Sequence, residues 1–302
     1  MKKTILITGG SGMLAEYFSD KYLADYNFRF LTRKVKKQND FLWDINRQYI
    51  DPKAFEGVDV VLHLAGSPLT DKRWTENRKQ LLLSSRVDST TLLLSEVKRQ
   101  NITLDAFISA SAVGFYGSST TENIYTETDE KGNDFLSDIC VQWEKSAKEF
   151  EITSHAKRVA IARIGIILAP DAGALNEIKK PFKFRLGSSI GDGEQYVPWI
   201  HISDMCRILN FMVTNPSING IYNSVAPQHT NYQNFSTLIG RTMKRPIWLP
   251  NVPSFILKIV LGEMSTIIIN GSRVSAQKLI DKGFKFEFKD LNSALKNLFE
   301  KH

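Results

Sequence analysis

Residues 4–15 carry the strongest local signal in the chain and read Thr4-Ile5-Leu6-Ile7-Thr8-Gly9-Gly10-Ser11-Gly12-Met13-Leu14-Ala15. A short apolar run passes directly into glycines, and apolar residues at helical spacing follow over residues 13–23. Glycines in such a strand-to-helix turn let the backbone approach a pyrophosphate, which the free N–H groups and dipole of the helix N-terminus attract. We therefore predict a dinucleotide phosphate site, with an ordinary turn as the alternative, formed by Gly9, Gly10, Ser11, Gly12, Met13 and Leu14.

Strand-like and helix-like patterns alternate from this turn onward through the first half of the chain. The predicted strands after the first are 28–32, 41–43, 58–64, 106–111 and 158–164, and the predicted helices after the first are 76–99 and 135–152. The nearly continuous apolar run over 58–64 is typical of a strand buried on both faces of a parallel sheet. This alternation predicts an α/β fold with a Rossmann-type, doubly wound parallel sheet.

The amino-acid composition changes after about residue 168, where glycine, proline and aromatic residues become more frequent. We therefore predict a nucleotide-binding domain over residues 1–168 and a smaller C-terminal α+β substrate lobe over 169–302, with some exchange of chain between them. Helices of this second part are predicted at 203–214, 232–242, 254–261 and 291–301.

Composition and charge exclude several classes of protein. The 302 residues are 42% hydrophobic and 24% charged, as in a globular protein. No apolar run approaches the ~20 residues of a membrane-spanning helix. The apolar run that follows Met1-Lys2-Lys3 ends at Ile7, which is too short for a signal peptide. We expect a cytoplasmic protein that has no membrane partner, and we expect Cys140 and Cys206 to be buried free thiols.

The distribution of reactive residue types excludes further functions. The five histidines are scattered without metal-ligand spacing, so no metal site is predicted. No Gly-x-Ser-x-Gly motif is present, which argues against a hydrolase of that type. The net charge of +7 is mostly dispersed, without basic patches interleaved with aromatic residues, so no nucleic-acid partner is predicted.

The end of the predicted second strand bears on the identity of the dinucleotide. An NAD site usually places Asp or Glu there to bind the ribose 2′-hydroxyl, but this chain has Thr32 followed by Arg33. The planar guanidinium of Arg33 suits a 2′-phosphate, and Thr32 adds a hydroxyl. The sequence therefore favours NADP(H) over NAD(H). The alternative is that the basic run over 33–37 is an ordinary solvated loop.

Several motifs together resemble the extended short-chain dehydrogenase/reductases, the sugar-nucleotide epimerase group. They are residues 8–15, His63-Leu-Ala-Gly66, Ser109-Ala-Ser-Ala-Val-Gly-Phe-Tyr-Gly117, Arg163-Ile-Gly165 and Trp199-Ile-His-Ile-Ser-Asp204. A finer resemblance, to the atypical subgroup called epimerase family proteins, rests on Arg73-Trp74, Ser85-Arg86-Val87, Phe135-Leu136, Trp143-Glu144, Gly191-Asp-Gly-Glu-Gln195 and Pro198-Trp199. The subgroup's C-terminal domain of unknown function is resembled at Gly262-Glu263, Gln277-Lys278-Leu279 and Gly283-Phe284.

The resemblance implies further cofactor contacts. It places Leu64, Ala65 and Gly66 along the cofactor, and it places Asp44 against the adenine. Arg86 takes a helix position close to the cofactor, where a cation suits phosphate or substrate charge; an exposed surface arginine is the alternative. Arg163 ends the sixth predicted strand, at the rim where such sheets bind ligands.

The catalytic pair of the superfamily is missing. Its members resemble one another in Tyr-x-x-x-Lys, where tyrosine is the acid or base and lysine lowers the tyrosine pKa and holds the ribose. When Glu144 is aligned with the family's helix glutamate, Leu136 and Cys140 occupy these two positions. Neither side chain can perform this chemistry.

Three other side chains remain as catalytic candidates. Ser111 matches the family serine and is expected beside the nicotinamide, where it would hydrogen-bond a carbonyl or hydroxyl. Tyr116 is mainly structural in the family, and a tyrosine without an activating cation stays protonated. His201 is either an acid–base group or a structural hydrogen-bonding residue.

Two functions follow. The first is an NADP(H)-dependent oxidoreductase or epimerase-like enzyme with unusual acid–base groups, whose small-molecule substrate enters between the lobes. Arg86, Lys183 and Arg185 favour an anionic substrate, and the glycines of residues 187–199 predict a mobile lid. The alternative is a non-catalytic NADP(H)-binding sensor, because the phosphate loop is intact while the Tyr–Lys pair is absent.

Overall fold

The computed structural model describes residues 2–170 and 172–300. Within these ranges the strands, numbered β1 to β12 in chain order, are Thr4–Thr8, Asn27–Thr32, Asp40–Asp44, Tyr49–Ile50, Val60–His63, Ala106–Ala112, Ile124–Tyr125, Val159–Ile164, Ile166–Leu168, Trp199–His201, Gly220–Ser224 and Arg273–Val274. The α-helices, α1 to α10, are Met13–Lys21, Glu76–Arg99, Phe135–Ile152, Gly173–Lys183, Ile202–Thr214, Tyr232–Thr242, Ser254–Leu261, Thr266–Ile269, Gln277–Asp281 and Leu291–Glu300.

The main sheet has the strand order β11-β8-β6-β5-β1-β2-β3-β4. Its strands pair in parallel, except that β4 pairs antiparallel with β3. The chain moves outward in opposite directions from β1, towards β2 on one side and β5 on the other. The carboxyl ends of β1 and β5 therefore flank the crevice in which doubly wound sheets bind ligands. This arrangement confirms the predicted Rossmann-type fold.

Alternation along β1 divides the core into two layers. Ile5 and Ile7 belong to the apolar cluster that contains Phe18 of α1. Leu6 lies on the opposite face, in the cluster that contains Phe150 of α3. All three β1 side chains are fully buried, as expected for a central parallel strand covered by helices on both faces.

Residues beyond 168 contribute to both parts of the structure. Strand β11 pairs in parallel with β8, so it extends the main sheet. Helix α5 packs against α1, and the Tyr26 hydroxyl donates to Asn210 Oδ1 of α5 at 2.5 Å. The remaining C-terminal region is largely helical, and its two-residue strand β12 pairs with β7. In the described residues, no helix is long and apolar enough to cross a membrane.

The last helix is described as Leu291–Glu300, so the predicted final position, residue 301, lies outside the described residues. Both cysteines are free and buried, as predicted.

Candidate functional site

The glycine-rich turn lies at the carboxyl end of β1, over the crevice. Gly12 N donates to Gly9 O at 2.8 Å, and helix α1 starts directly after Gly12 without a side-chain cap. The first N–H groups of the helix are therefore available to an anion. Gly9 has φ +70°, and a Cβ at this position would lie 3.1 Å from Ala65 Cα. Only glycine combines this backbone conformation with such close packing.

A buried hydrogen-bond network joins this turn to the segment after β5. Thr8 Oγ1 accepts from Leu64 N and Ala65 N, both at 3.1 Å, and lies 2.8 Å from His63 Nδ1. Because the hydroxyl oxygen already accepts two N–H groups, its own proton is directed to the imidazole. His63 Nδ1 is therefore the acceptor nitrogen of a neutral ring.

The other nitrogen of His63 faces helix α2. Ser89 Oγ and Thr90 Oγ1 lie 3.2 and 3.1 Å from His63 Nε2, and both hydroxyls donate to the Arg86 carbonyl. Nε2 consequently carries the ring proton and donates it. Burial lowers the pKa of His63 to about 3, so the ring is neutral at physiological pH. The network fixes the turn against β5 and α2 rather than supplying an acid or base.

The basic loop after β2 is ordered by one carboxylate. Asp40 Oδ2 accepts from Lys36 N and Lys37 N, both at 2.9 Å, while Thr32 Oγ1 donates to Lys34 O at 3.0 Å. The Arg33 side chain is exposed at the same edge of the sheet as the phosphate loop. In the described ranges, no carboxylate pairs with Arg33.

Asp44, the predicted adenine contact, ends β3 and stabilises the turn that follows. Its Oδ1 accepts from Asn46 N at 3.0 Å and from Arg47 N at 3.2 Å, and Arg47 Nε lies 3.6 Å from Oδ2. The carboxylate remains partly exposed, and its contact with adenine stays a prediction.

Arg86 lies inside the site and is only 8% exposed, so its interpretation as an exposed surface arginine is wrong. Its Nη1 donates to Leu82 O at 2.8 Å and its Nη2 to Ser67 O at 3.1 Å. The guanidinium carbon lies 5.2 Å from the centre of the Trp143 ring, and a Cβ on Gly66 would lie 3.1 Å from it. Helices α2 and α3 therefore enclose a cation directly beside the predicted cofactor segment.

The charge of this guanidinium has no counter-ion among the described residues. The ionisable groups whose charges act on its pKa are the Cys140 thiol and Arg78, another cation. Burial lowers the pKa of Arg86 to about 10, which leaves it protonated at neutral pH. A buried cation without a carboxylate is costly, and an anion that reaches it lowers that cost. Arg86 is therefore suited to bind a negatively charged ligand.

Arg163 has a different environment. It is 1% exposed, and it forms a two-point ion pair with Glu144, at 2.8 Å to Oε1 and 2.9 Å to Oε2. Its Nη1 donates to the Tyr116 hydroxyl at 3.0 Å, and its guanidinium stacks 3.3 Å from the centre of the Phe115 ring. All three guanidinium nitrogens are thus engaged inside the protein, and the predicted contact of Arg163 with the cofactor stays a prediction.

The catalytic candidates Ser111 and Tyr116 belong to this same cluster. Ser111 Oγ donates to Glu144 Oε1 at 2.8 Å, and the Tyr116 hydroxyl donates to Asn223 Oδ1 at 2.7 Å. Burial raises the pKa of Tyr116 to about 12, so this phenol does not serve as a base near neutrality. The cluster joins β6, α3, β8 and β11, and its hydrogen bonds hold both hydroxyls inside the core.

His201 caps a helix. Its Nδ1 accepts from Ser203 N at 3.0 Å at the start of α5, and its ring stacks on Phe288 at 3.8 Å. The residue is 3% exposed. These contacts favour the structural interpretation, in which His201 joins α5 to the C-terminal region.

The positions of the missing Tyr–Lys pair lie on the first two turns of α3. Cys140 Sγ donates to Ala112 O at 3.6 Å, and burial raises the thiol pKa to about 12. Cys140 is therefore a neutral thiol and not a nucleophile. Leu136 lies beside Gly114, where a Cβ would be 3.4 Å from Leu136 Cβ. In the described part of the chain, no group of three or more metal-ligating side chains is assembled.

A contact that was not predicted from the sequence joins the C-terminal region to the start of α2. Lys79 Nζ lies 2.7 Å from Glu263, and Arg73 Nη2 donates to Ile259 O at 3.2 Å. Gly262 has φ +62°, and a Cβ there would lie 3.1 Å from Arg73 Nη2. Both segments, Arg73-Trp74 and Gly262-Glu263, belong to the motifs that resemble the family. That both are family motifs was the one sequence signal for a contact between them.

The predicted lid is held by backbone hydrogen bonds. Gly191 N donates to Val252 O at 2.9 Å, and Val252 N donates to Ser189 O at 2.9 Å. The exposed side chains of Lys183 and Arg185 precede this segment. Further backbone hydrogen bonds join residues 193, 195 and 197 to residues 230–233. The segment 187–199 is therefore hydrogen-bonded along most of its length, and its mobility as a lid stays a prediction.

Comparison with known proteins agrees with this geometry. The NAD dependent epimerase/dehydratase family matches residues 5–135, and a domain of unknown function, DUF1731, matches residues 252–298. An epimerase family protein of Staphylococcus haemolyticus is 36% identical over 303 residues, which cover 99% of each chain. The chain belongs to the epimerase family. The resemblance predicted from the motifs is thereby confirmed, including the C-terminal domain of unknown function.

Solved structures extend the comparison of this epimerase family member. Human epimerase family protein SDR39U1, solved with NADPH, is 25% identical with a TM-score of 0.87 and covers 99% of this chain and 100% of its own. A nucleoside-diphosphate sugar epimerase of Corynebacterium glutamicum is 26% identical with a TM-score of 0.80. The match covers 99% of this chain and 58% of that protein's chain. A UDP-glucuronic acid 4-epimerase of Bacillus cereus, solved with UDP-glucuronic acid and NAD, shares the fold at 16% identity and a TM-score of 0.75.

Proposed function

We propose that this protein binds NADP(H) and acts as an oxidoreductase or epimerase-like enzyme on a small anionic molecule. The observation that carries the proposal is the buried Arg86 guanidinium, which lies beside Gly66 and has no carboxylate partner among the described residues. The binding of NADPH by the human relative supports the choice of cofactor. The exposed Arg33, which stands where an NAD site carries an acid, supports it further.

The residues at the crevice fit this cofactor. Gly9, Gly10, Ser11 and Gly12 would bind the pyrophosphate together with the first turn of α1, which contains Met13 and Leu14. Thr32 and Arg33 would bind the 2′-phosphate. Asp44 would meet the adenine, and Leu64, Ala65 and Gly66 would lie along the nucleotide. The left-handed conformation of Gly9 and its close approach to Ala65 support this assignment.

The chemistry assigned to the side chains is limited to binding and orientation. NADP(H), when bound, supplies or accepts the hydride. Arg86 holds the negative charge of the substrate, and the apolar Leu136 takes the position that the resemblance to the short-chain dehydrogenase/reductases assigns to the catalytic tyrosine. Ser111 donates its hydroxyl proton to Glu144, and Cys140 is a neutral thiol. We therefore assign the proton that accompanies hydride transfer to water.

Replacement of Arg33 tests the cofactor. Arg33→Ala is expected to weaken NADPH binding about 30-fold, a loss of about 2 kcal/mol, because the 2′-phosphate loses its charged partner. NADH lacks that phosphate, so its affinity should stay within about 3-fold of the wild-type value. Titration of both nucleotides by fluorescence measures the two constants.

Lys98→Ala is the matched control, since Lys98 is an exposed cation near the C-terminal end of α2, away from the phosphate loop. Equal losses for NADPH and NADH, or tighter binding of NADH by the wild type, would contradict the preference for NADP(H).

Replacement of Arg86 tests the anionic substrate. Arg86→Met is expected to lower kcat/KM for anionic carbonyl compounds about 100-fold, because an anion loses a desolvated, hydrogen-bonding cation. The Kd for NADPH should change less than about 3-fold. The measurement is NADPH oxidation with 2-oxo acids, sugar phosphates and nucleoside-diphosphate sugars, with uncharged ketones as reference compounds.

Arg99→Met, on the exposed end of the same helix, is the control, and Arg86→Lys should retain part of the activity. If Arg86→Met reduces only the affinity for NADPH, the guanidinium binds the cofactor and its assignment to the substrate fails.

The second candidate function is a non-catalytic NADP(H) sensor. Leu136 and Cys140 favour it, since neither replaces the missing acid–base pair. In this case NADPH would bind without turnover, and the contact between Lys79 and Glu263 would respond to the oxidation state of the cofactor. Hydrogen exchange of residues 254–265 with NADPH and with NADP⁺ distinguishes the functions, because a sensor gives different protection in the two states.

A further inference from the structure

Helix α7 presents an apolar surface to solvent. None of its residues is buried, and Phe255, Ile256, Ile259 and Val260 are between 40% and 70% exposed. Their spacing of one, four and five residues places them in one continuous stripe along the helix. Apolar stripes of soluble helices normally pack against a core, so this one indicates a surface that contacts another molecule.

A neighbouring segment enlarges the stripe. Phe184, Leu186 and Trp248 are 76%, 57% and 70% exposed, and Trp248 Nε1 donates to Arg185 O at 3.0 Å. The pairing of Ile190 with Val252 holds the two segments side by side just before α7. We call these seven exposed residues the apolar face, namely Phe184, Leu186, Trp248, Phe255, Ile256, Ile259 and Val260.

The two segments that carry the apolar face are rich in cations. Neither residues 178–191 nor residues 239–262 contain an aspartate or a glutamate. The exposed cations in these two segments that are not paired with a carboxylate in the described structure are Lys183, Arg185, Arg241, Lys244 and Lys258. The exposed aromatic and aliphatic side chains therefore lie on segments rich in cations, and the carboxylates that border these segments are Glu177, Asp192 and Glu263. Two of these carboxylates are paired with lysines, Glu177 with Lys180 and Glu263 with Lys79.

We infer that the apolar face docks on a membrane surface of anionic phospholipid. Phe184, Trp248 and Phe255 would enter the interfacial region, and the cations would meet the lipid phosphates. A second copy of the chain fits less well, because a symmetric contact would bring cations against cations. The absence of a spanning segment in the sequence predicts no membrane partner, but a peripheral contact needs no such segment.

The location of the face connects it to the site. Helix α7 leads directly into Gly262 and Glu263, which contact Arg73 and Lys79 at the start of α2. A membrane contact through α7 would therefore bring the contact between Gly262-Glu263 and the start of α2 close to the lipid surface. The inference stands on exposure and charge and does not depend on the identity of the cofactor or the substrate.

Vesicle flotation with the full chain tests the inference. Vesicles of phosphatidylcholine with about 30% phosphatidylglycerol should bind the protein at least about 10-fold more tightly than pure phosphatidylcholine. Binding should weaken as salt rises from about 0.05 to 0.5 M, because the Debye length shortens. Phe255→Glu/Ile259→Glu should reduce binding at least about 10-fold, and Lys183→Gln/Arg185→Gln/Lys258→Gln should remove most of its salt dependence.

Ile152→Glu is the matched control, because Ile152 is as exposed as Ile259 but lies at the end of α3. Unchanged thermal unfolding of the Phe255→Glu/Ile259→Glu variant shows that it folds. Equal binding to both vesicle types, or full binding by this folded variant, overturns the inference. A lipid-free dimer that the same variant dissociates, or binding to an acidic protein without binding to vesicles, also overturns it.

Discussion

Arg163→Met is expected to lower the free energy of unfolding by about 3–5 kcal/mol. The substitution leaves the Glu144 carboxylate, which is 4% exposed, without its cation, and it removes a donor to the Tyr116 hydroxyl. Such a carboxylate either stays charged without a partner or takes up a proton, and both outcomes destabilise the native state. Urea unfolding of the wild type and the variant at neutral pH gives the difference.

Two companion variants make the measurement specific. Glu144→Gln/Arg163→Met should recover part of the loss, because the carboxamide carries no charge that needs a partner. Arg99→Met breaks the more exposed pair with Glu96 and should cost less than about 1 kcal/mol. If Arg163→Met costs no more than Arg99→Met, the cluster does not stabilise the fold as described.

His63 is also expected to make the free energy of unfolding depend on pH. Its contribution should fall by about 2 kcal/mol when the pH is lowered from 7 to 5. Burial lowers the pKa of His63 to about 3 in the native state, whereas the unfolded chain titrates near its ordinary value of 6.5. Between these values the unfolded state binds the proton and the native state does not. The contribution is therefore complete above pH 6.5 and is lost as the pH falls towards 3.

His63→Gln isolates this contribution, since glutamine keeps polar atoms at the position but does not titrate. Its free energy of unfolding should change between pH 7 and pH 5 by about 2 kcal/mol less than that of the wild type. Urea titrations at both pH values provide the comparison. The lowered pKa of His229 and other titrations that the two proteins share cancel in this difference. Parallel pH profiles for the two proteins would mean that His63 is not neutral by burial.

The long elements were predictable because their signals are local. The predicted bounds of α2, α3 and α6 agree with the structure, and each helix begins after a residue whose side chain accepts from a helical N–H group: Thr75, Asp134 and Asn231. The short strands β4, β7, β9, β10 and β12 went unpredicted, because two or three residues form a strand only when a distant segment pairs with them. Helix α4 contains Pro181, which obscured its pattern.

The candidate site was predictable only in part, for the same reason. The phosphate loop is contiguous in sequence, so its glycines and its helix could be interpreted together. The burial of Arg86 depends on Trp143 and Gly66, which belong to other elements, and no local pattern distinguishes it from a surface arginine. The pairing of Arg163 with Glu144 likewise joins a strand to a helix, so a rim position that suggested ligand binding turned out to be buried.

The position of β11 at the edge of the main sheet affects which backbone groups the nascent chain exposes. Until residues 220–224 leave the ribosome, β8 is the outermost strand of its side of the sheet and exposes an unpaired row of backbone groups. Asn223, the acceptor for the Tyr116 hydroxyl, arrives with the same late strand. A nascent chain that pairs β8 with β6 before residue 220 is made therefore exposes β8 as an edge strand, and such edges tend to pair with other chains.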